Sequence, residues 1–97
     1  MKYRQSKDFI LKNISGDDVL ISRGKMALKV NGVFVFNEAC SFLWSSLSEP
    51  KTVEELADSF QTKYKIDEDT ALHDIKVCLR EMLENEMVES IEESSSE

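Results

Sequence analysis

Val33-Phe34-Val35-Phe36-Asn37-Glu38-Ala39-Cys40-Ser41-Phe42-Leu43-Trp44 changes its hydrophobic period partway along. Its first four residues are β-branched or aromatic, as a strand prefers. From Ala39 the apolar positions Ala39, Cys40, Phe42, Leu43, Trp44 and Leu47 recur at helical spacing. Asn37 sits at the junction, where its side chain can accept from the orphan amides of a helix start. Strand, cap and helix therefore follow one another without a linker, and this junction divides the chain into a β part and an α part.

Toward the N-terminus the pattern stays β. Phe9–Ile14 and Val19–Ile21 read as strands separated by the turn cluster Ser15-Gly16-Asp17-Asp18, and Ser22-Arg23-Gly24 closes the second. Met26-Ala27-Leu28-Lys29-Val30 alternates, and Asn31-Gly32 lies between it and Val33–Phe36. Asn-Gly between apolar runs predicts a type I′ hairpin, because both residues tolerate positive φ. That register sets Val30 against Val33 and Leu28 against Val35. Met26, Leu28, Val30, Val33 and Val35 then share one face, with Lys29, Phe34 and Phe36 on the other.

Toward the C-terminus three helices are expected. Pro50 ends the first by disfavouring helical geometry at Glu49. Thr52-Val53-Glu54-Glu55 has the form of a capping box and opens the second, which carries Leu56, Ala57, Phe60 and Tyr64. Asp67 caps the third, whose core stripe is Ala71, Ile75, Cys78, Leu79 and Met82. Leu72 and Leu83 widen that stripe on one side, and Val77 lies off it. Met87-Val88 and Ile91 suggest a short final packing segment. Residues 1–91 read as one domain and 92–97 as a disordered acidic tail.

Composition limits the function classes. The 97 residues are 41% hydrophobic with three Gly and one Pro, enough for one packed core. No run approaches the about 20 apolar residues of a membrane helix, and the basic N-terminus does not lead into an apolar export signal. The expectation is a cytoplasmic protein whose Cys40 and Cys78 are reduced core thiols. Net charge is −7. Residues 1–36 hold seven basic against three acidic side chains, and the remainder five against sixteen. An acidic helical half is poorly suited to a phosphate backbone.

Chemistry-bearing constellations are missing. His73 stands five positions from Cys78, a spacing that does not put the two together on a helix. Two distant cysteines and one histidine form no ligand-spaced cluster for zinc. Gly16, Gly24 and Gly32 are spaced as turn residues rather than as a phosphate cradle. No cofactor, metal or catalytic residue is expected. A sheet edge remains, to which another chain can add a strand. Residue pattern alone leaves two readings open for Phe34, Phe36, Leu72 and Leu83: ordinary core, or the walls of a peptide groove.

The order of these segments resembles the PqqD family, named for coenzyme PQQ synthesis protein D. The resemblance rests on Val33–Trp44, on Thr52–Leu56 with Tyr64-Lys65-Ile66-Asp67, and on Asp74–Leu79 with Leu83-Glu84-Asn85, and it spans about residues 8–91. Glu86 departs from it, since the family often has Gly there, and this bears on how the final segment is set. The resemblance implies an α+β, winged-helix-like fold, a small antiparallel sheet of three to four strands followed by three α-helices. It also implies a non-catalytic adaptor. Such a protein binds the leader of a ribosomally made precursor peptide as an added strand and presents it to a modifying enzyme, such as a radical SAM enzyme, or to a lasso-type leader peptidase. The matching peptide-binding positions are Val33, Phe34, Val35 and Phe36 with Leu72, Ile75, Lys76 and Leu79. Phe34 and Leu72 would supply apolar pockets, and Lys29, Lys76 and Arg80 would attract acidic leader residues. A monomer or weak dimer is expected. The rival class is a winged helix-turn-helix DNA-binding regulator, which would need a basic third helix. Here that helix and its end carry Glu68, Asp69, Asp74, Glu81, Glu84 and Glu86 against Lys76 and Arg80.

Overall fold

The first reversal of the chain falls at Ser15-Gly16, whose φ angles of 54° and 90° supply the two left-handed residues of a two-residue hairpin. In the computed structural model of the chain, which describes residues 1–29 and 33–91, this hairpin joins β2 (Phe9–Ile14) to β3 (Asp17–Ser22). β1 (Lys2–Gln5) precedes it. A single helical turn, α1 (Met26–Lys29), follows, and then β4 (Val33–Phe36). Three longer helices come next, α2 (Glu38–Ser46), α3 (Val53–Tyr64) and α4 (Glu68–Glu84), and β5 (Val88–Ile91) closes the described chain. The strands make two antiparallel sheets, β2-β3-β4 and β1-β5.

β3 is the central strand, which corrects the expected hairpin. Leu20 pairs with Phe34 and Val19 with Val35, so Val35 does not face Leu28. The predicted strand at Met26 is instead a helical turn, in which the Ala27 and Leu28 amides donate to the Gly24 and Lys25 carbonyls at 3.2 Å. The Asn31-Gly32 turn and Val30 lie outside the described residues. The cause is the turn before α1. Arg23 is anchored by its amide to the Asp8 carbonyl at 2.7 Å and by its Nε to the Lys7 carbonyl at 3.0 Å. Gly24 at φ 63° then swings the chain off the sheet. Met26 is buried while Leu28 is 90% exposed, so one helical turn satisfies an alternation that also fits a strand. Within β4 the two faces divide as expected. Phe34 and Phe36 pack against the core, and Val33 and Val35 are 58% and 70% exposed.

The helices begin where their caps predict. The Asn37 side chain accepts from the Cys40 amide at 2.8 Å. Thr52 and Glu55 complete a reciprocal capping box, at 2.8 and 3.1 Å, and Asp67 accepts from the Thr70 amide at 2.8 Å. Ala71, Ile75, Cys78, Leu79 and Met82 are the buried residues of α4, as its period requires. They meet Leu43, Trp44 and Leu47 of the α2 segment and Leu56, Ala57 and Phe60 of α3 in one core. Phe42, Phe60 and Tyr64 stack at 5.4–5.9 Å between ring centres across the α2–α3 contact.

The end of α4 is set by a left-handed residue. The Met87 amide donates to the Met82 carbonyl at 2.8 Å and the Glu86 amide to that of Leu83 at 3.2 Å, the bond pair of a Schellman motif. Met82 and Met87 are both buried, supplying the hydrophobic contact that accompanies it. Glu86 occupies the left-handed position at φ 59°. It therefore adopts the conformation for which glycine is favoured, so the substitution leaves the turn unchanged. The Met87 carbonyl then accepts the Trp44 indole N–H at 3.1 Å and the Ser6 amide at 2.9 Å, which seats β5 beside β1.

Two outcomes follow. Glu86→Gly should raise stability by about 0.5–1 kcal/mol, because relief of left-handed strain outweighs the added freedom of the unfolded chain. A melting point lowered by this change would contradict the Schellman assignment. The Asp67 carboxyl is held below its usual range by the Thr70 hydrogen bonds, and that of Glu55 by the Thr52 amide. A depressed folded-state pKa gives stability that is present above the unfolded value and lost as pH falls through the folded one. The denaturation midpoint should therefore fall on acidification below about pH 4, and Asp67→Asn, which keeps a capping oxygen, should flatten that fall.

Candidate functional site

β4 pairs with β3 on one side, and among the described residues its other edge has no strand partner. Alternate residues of such an edge direct N–H and C=O groups outward. A groove of about 290 Å³ runs along it. One wall is β4 itself, and Asn37 and Cys40 continue it into the start of α2. Glu81 of α4 and Met87 stand opposite. Phe34 and Phe36 are half-buried, offering ring surface to the groove as well as to the core. The Asn37 cap holds this arrangement, because it starts α2 one residue after the strand ends and so places Cys40 directly beyond the edge.

α4 presents two opposed flanks. At 3.6 residues per turn, Asp74, Val77 and Glu81 lie about half a turn away from Leu72, Lys76, Leu79 and Leu83. Glu81 lines the β4 groove. Val77, one turn earlier on the same flank, is 57% exposed. Lys76, Leu79, Arg80 and Leu83 instead line a second, shallower groove of about 430 Å³ with Tyr3 and Val53. The structure therefore brings Val33, Phe34, Val35 and Phe36 together at one site and sets Lys76 and Leu79 at another. Leu72 shares the flank of the latter and is half-buried against the core. Ile75 is fully buried. Lys29 ends α1 rather than a strand, and its side chain lies outside the described residues.

Cys40, Glu81 and Met87 were not singled out for this site from sequence. The helical period does place Cys78 and Glu81 on the side of α4 away from Leu72, but it does not say which side β4 occupies. Cys40, which lines the groove, has its sulfur 2.7 Å from that of Cys78, and both thiols are free and buried. Their hydrogen bond lowers the Cys40 thiol from its ordinary value. The same contact, helped by burial, pushes Cys78 up. His73 is exposed, and no group of three or more His, Cys, Asp or Glu side chains converges among the described residues. None of the described helices is long and apolar enough to cross a membrane.

Comparison with known proteins bears on this geometry. The solved structure of TbiB1 in complex with the TbiA(beta) leader peptide matches with a TM-score of 0.73 and 26% sequence identity, covering 93% of this chain and 99% of that one. No curated protein matches. The family model of Coenzyme PQQ synthesis protein D (PqqD) matches residues 19–88. That span runs from within β3, through the β4 edge and all three long helices, to the first residue of β5, and the chain belongs to the PqqD family.

Proposed function

We propose that this protein is a non-catalytic adaptor that binds the leader segment of a ribosomally made precursor peptide and presents it to a modifying enzyme. The observation that carries the reading is the β4 edge, without a strand partner among the described residues, above a groove that Glu81 of α4 also lines. An extended peptide adds to such an edge through backbone hydrogen bonds, and alternate side chains drop into the groove. TbiB1, alike in fold over almost its whole length, has been solved with a leader peptide, which supports a peptide as the occupant here.

In this reading Phe34, Phe36 and Met87 receive the inward-pointing apolar side chains, and Val33 to Phe36 supply the pairing groups. Leu72, Lys76 and Leu79 belong to the opposite flank of α4, so a single strand on β4 does not reach them. Lys76 and Arg80 are then left to draw acidic parts of the precursor or its enzyme, and Lys29 is assigned the same role. The enzyme is of the peptide-modifying kind, a radical SAM enzyme or a lasso-type leader peptidase. DNA binding is disfavoured by charge, since Asp74 and Glu81 stand on the α4 flank that faces the groove.

A calorimetric titration with a synthetic leader peptide, encoded beside this chain's gene, tests the reading. Glu81→Trp places a large side chain across the groove from an exposed position and should weaken binding at least about tenfold, or about 1.4 kcal/mol. Lys76→Ala, on the other flank, should change it less than about threefold. Affinity should survive moderate salt, because backbone pairing and apolar anchors carry it. Equal losses in both variants would contradict the placement.

A further inference from the structure

Cys40 comes from the first turn of α2 and Cys78 from the middle of α4. Their sulfurs approach to 2.7 Å although 38 positions separate them in sequence. Each is under a tenth exposed, yet Cys40 lines the β4 groove, so the groove gives a small molecule access to Cys40, with Cys78 behind it. A cystine needs about 2.05 Å between sulfurs, a displacement within the reach of side-chain motion.

We propose that Cys40 and Cys78 form a reversible oxidation site, where a small peroxide entering the groove converts the two thiols into a disulfide joining α2 to α4. Cys40 is the attacking sulfur, since it faces the groove and its thiol is the one held low by its neighbour. It attacks one peroxide oxygen and the O–O bond breaks, with the departing oxygen leaving as water and Cys40 becoming a sulfenic acid. The Cys78 sulfur then attacks the Cys40 sulfur. The S–O bond breaks, and its oxygen leaves as a second water with the proton from Cys78. Two thiols and one hydrogen peroxide thus give one disulfide and two waters. The link fastens the groove's α2 wall to α4, and it does so whatever the groove binds.

The full chain treated with a small excess of hydrogen peroxide should lose two hydrogens in intact mass. Both thiols should disappear from alkylation after denaturation, and dithiothreitol should restore them. Closing so long a loop should raise the melting point by about 10 °C or more. Cys78→Ser should stop at one added oxygen, trapped on Cys40 by dimedone, while Cys40→Ser should slow oxidation of the remaining thiol about tenfold or more. If the wild-type chain keeps two alkylatable thiols, or accumulates oxygen on Cys40 without cross-linking, the proposal fails. The wild-type mass alone decides this, even if a variant does not fold.

Discussion

A single carbonyl oxygen, that of Met87, ties together three segments that lie far apart in the sequence. It accepts the indole N–H of Trp44 and the amide of Ser6, so α2, the end of β1 and the start of β5 meet at one atom. A buried indole donor left without an acceptor costs about 1–3 kcal/mol, which ties the rotamer of Trp44 to the position of Met87. Met87 is placed in turn by the left-handed Glu86, and through it by the end of α4. Trp44 fixes α2, whose Asn37 cap follows immediately after β4. The groove inherits its width from this chain of constraints, because Met87 and Cys40 both line it.

Among the described residues β4 is a short edge strand, and an exposed edge is a liability unless something manages it. Four residues offer few unpaired groups, and the exposed carboxylate of Glu81 across the groove discourages casual pairing. The same features suit a recognition edge. Its inner face is committed to the core through Phe34 and Phe36, its outer face shows Val33 and Val35, and its backbone is left for a partner. Membership of the PqqD family and the likeness to TbiB1, solved with a leader peptide, fit a peptide partner, and the β4 edge is the place proposed for it.

Much of this was legible in the residues. Asn37, Thr52 and Asp67 announced three helix starts, and the helical period identified the buried stripe of α4 residue for residue. Two things were not legible. Met26 to Val30 alternates in a way that fits a strand or a single turn, and only the anchoring of Arg23 by the segment before β2 decides for the turn. The side of α4 that faces β4 is likewise a tertiary choice. Residue pattern leaves Leu72 and Leu83 open between ordinary core and groove wall. Leu83 lines the second groove with Tyr3 and Val53, Leu72 packs against the core, and the β4 groove is lined instead by Cys40, Glu81 and Met87. Periodicity says which residues share a flank and is silent on what that flank meets.

The central claim is that an extended peptide pairs with β4, and amide NMR of the isotopically labelled chain tests it most directly. On titration with the leader peptide, the account predicts shifts and slowed amide exchange concentrated at Val33 to Phe36, with smaller shifts at Cys40, Glu81 and Met87. Shifts confined to Tyr3, Lys76, Arg80 and Leu83, with β4 amides exchanging as before, would contradict it and move the binding site to the opposite flank of α4.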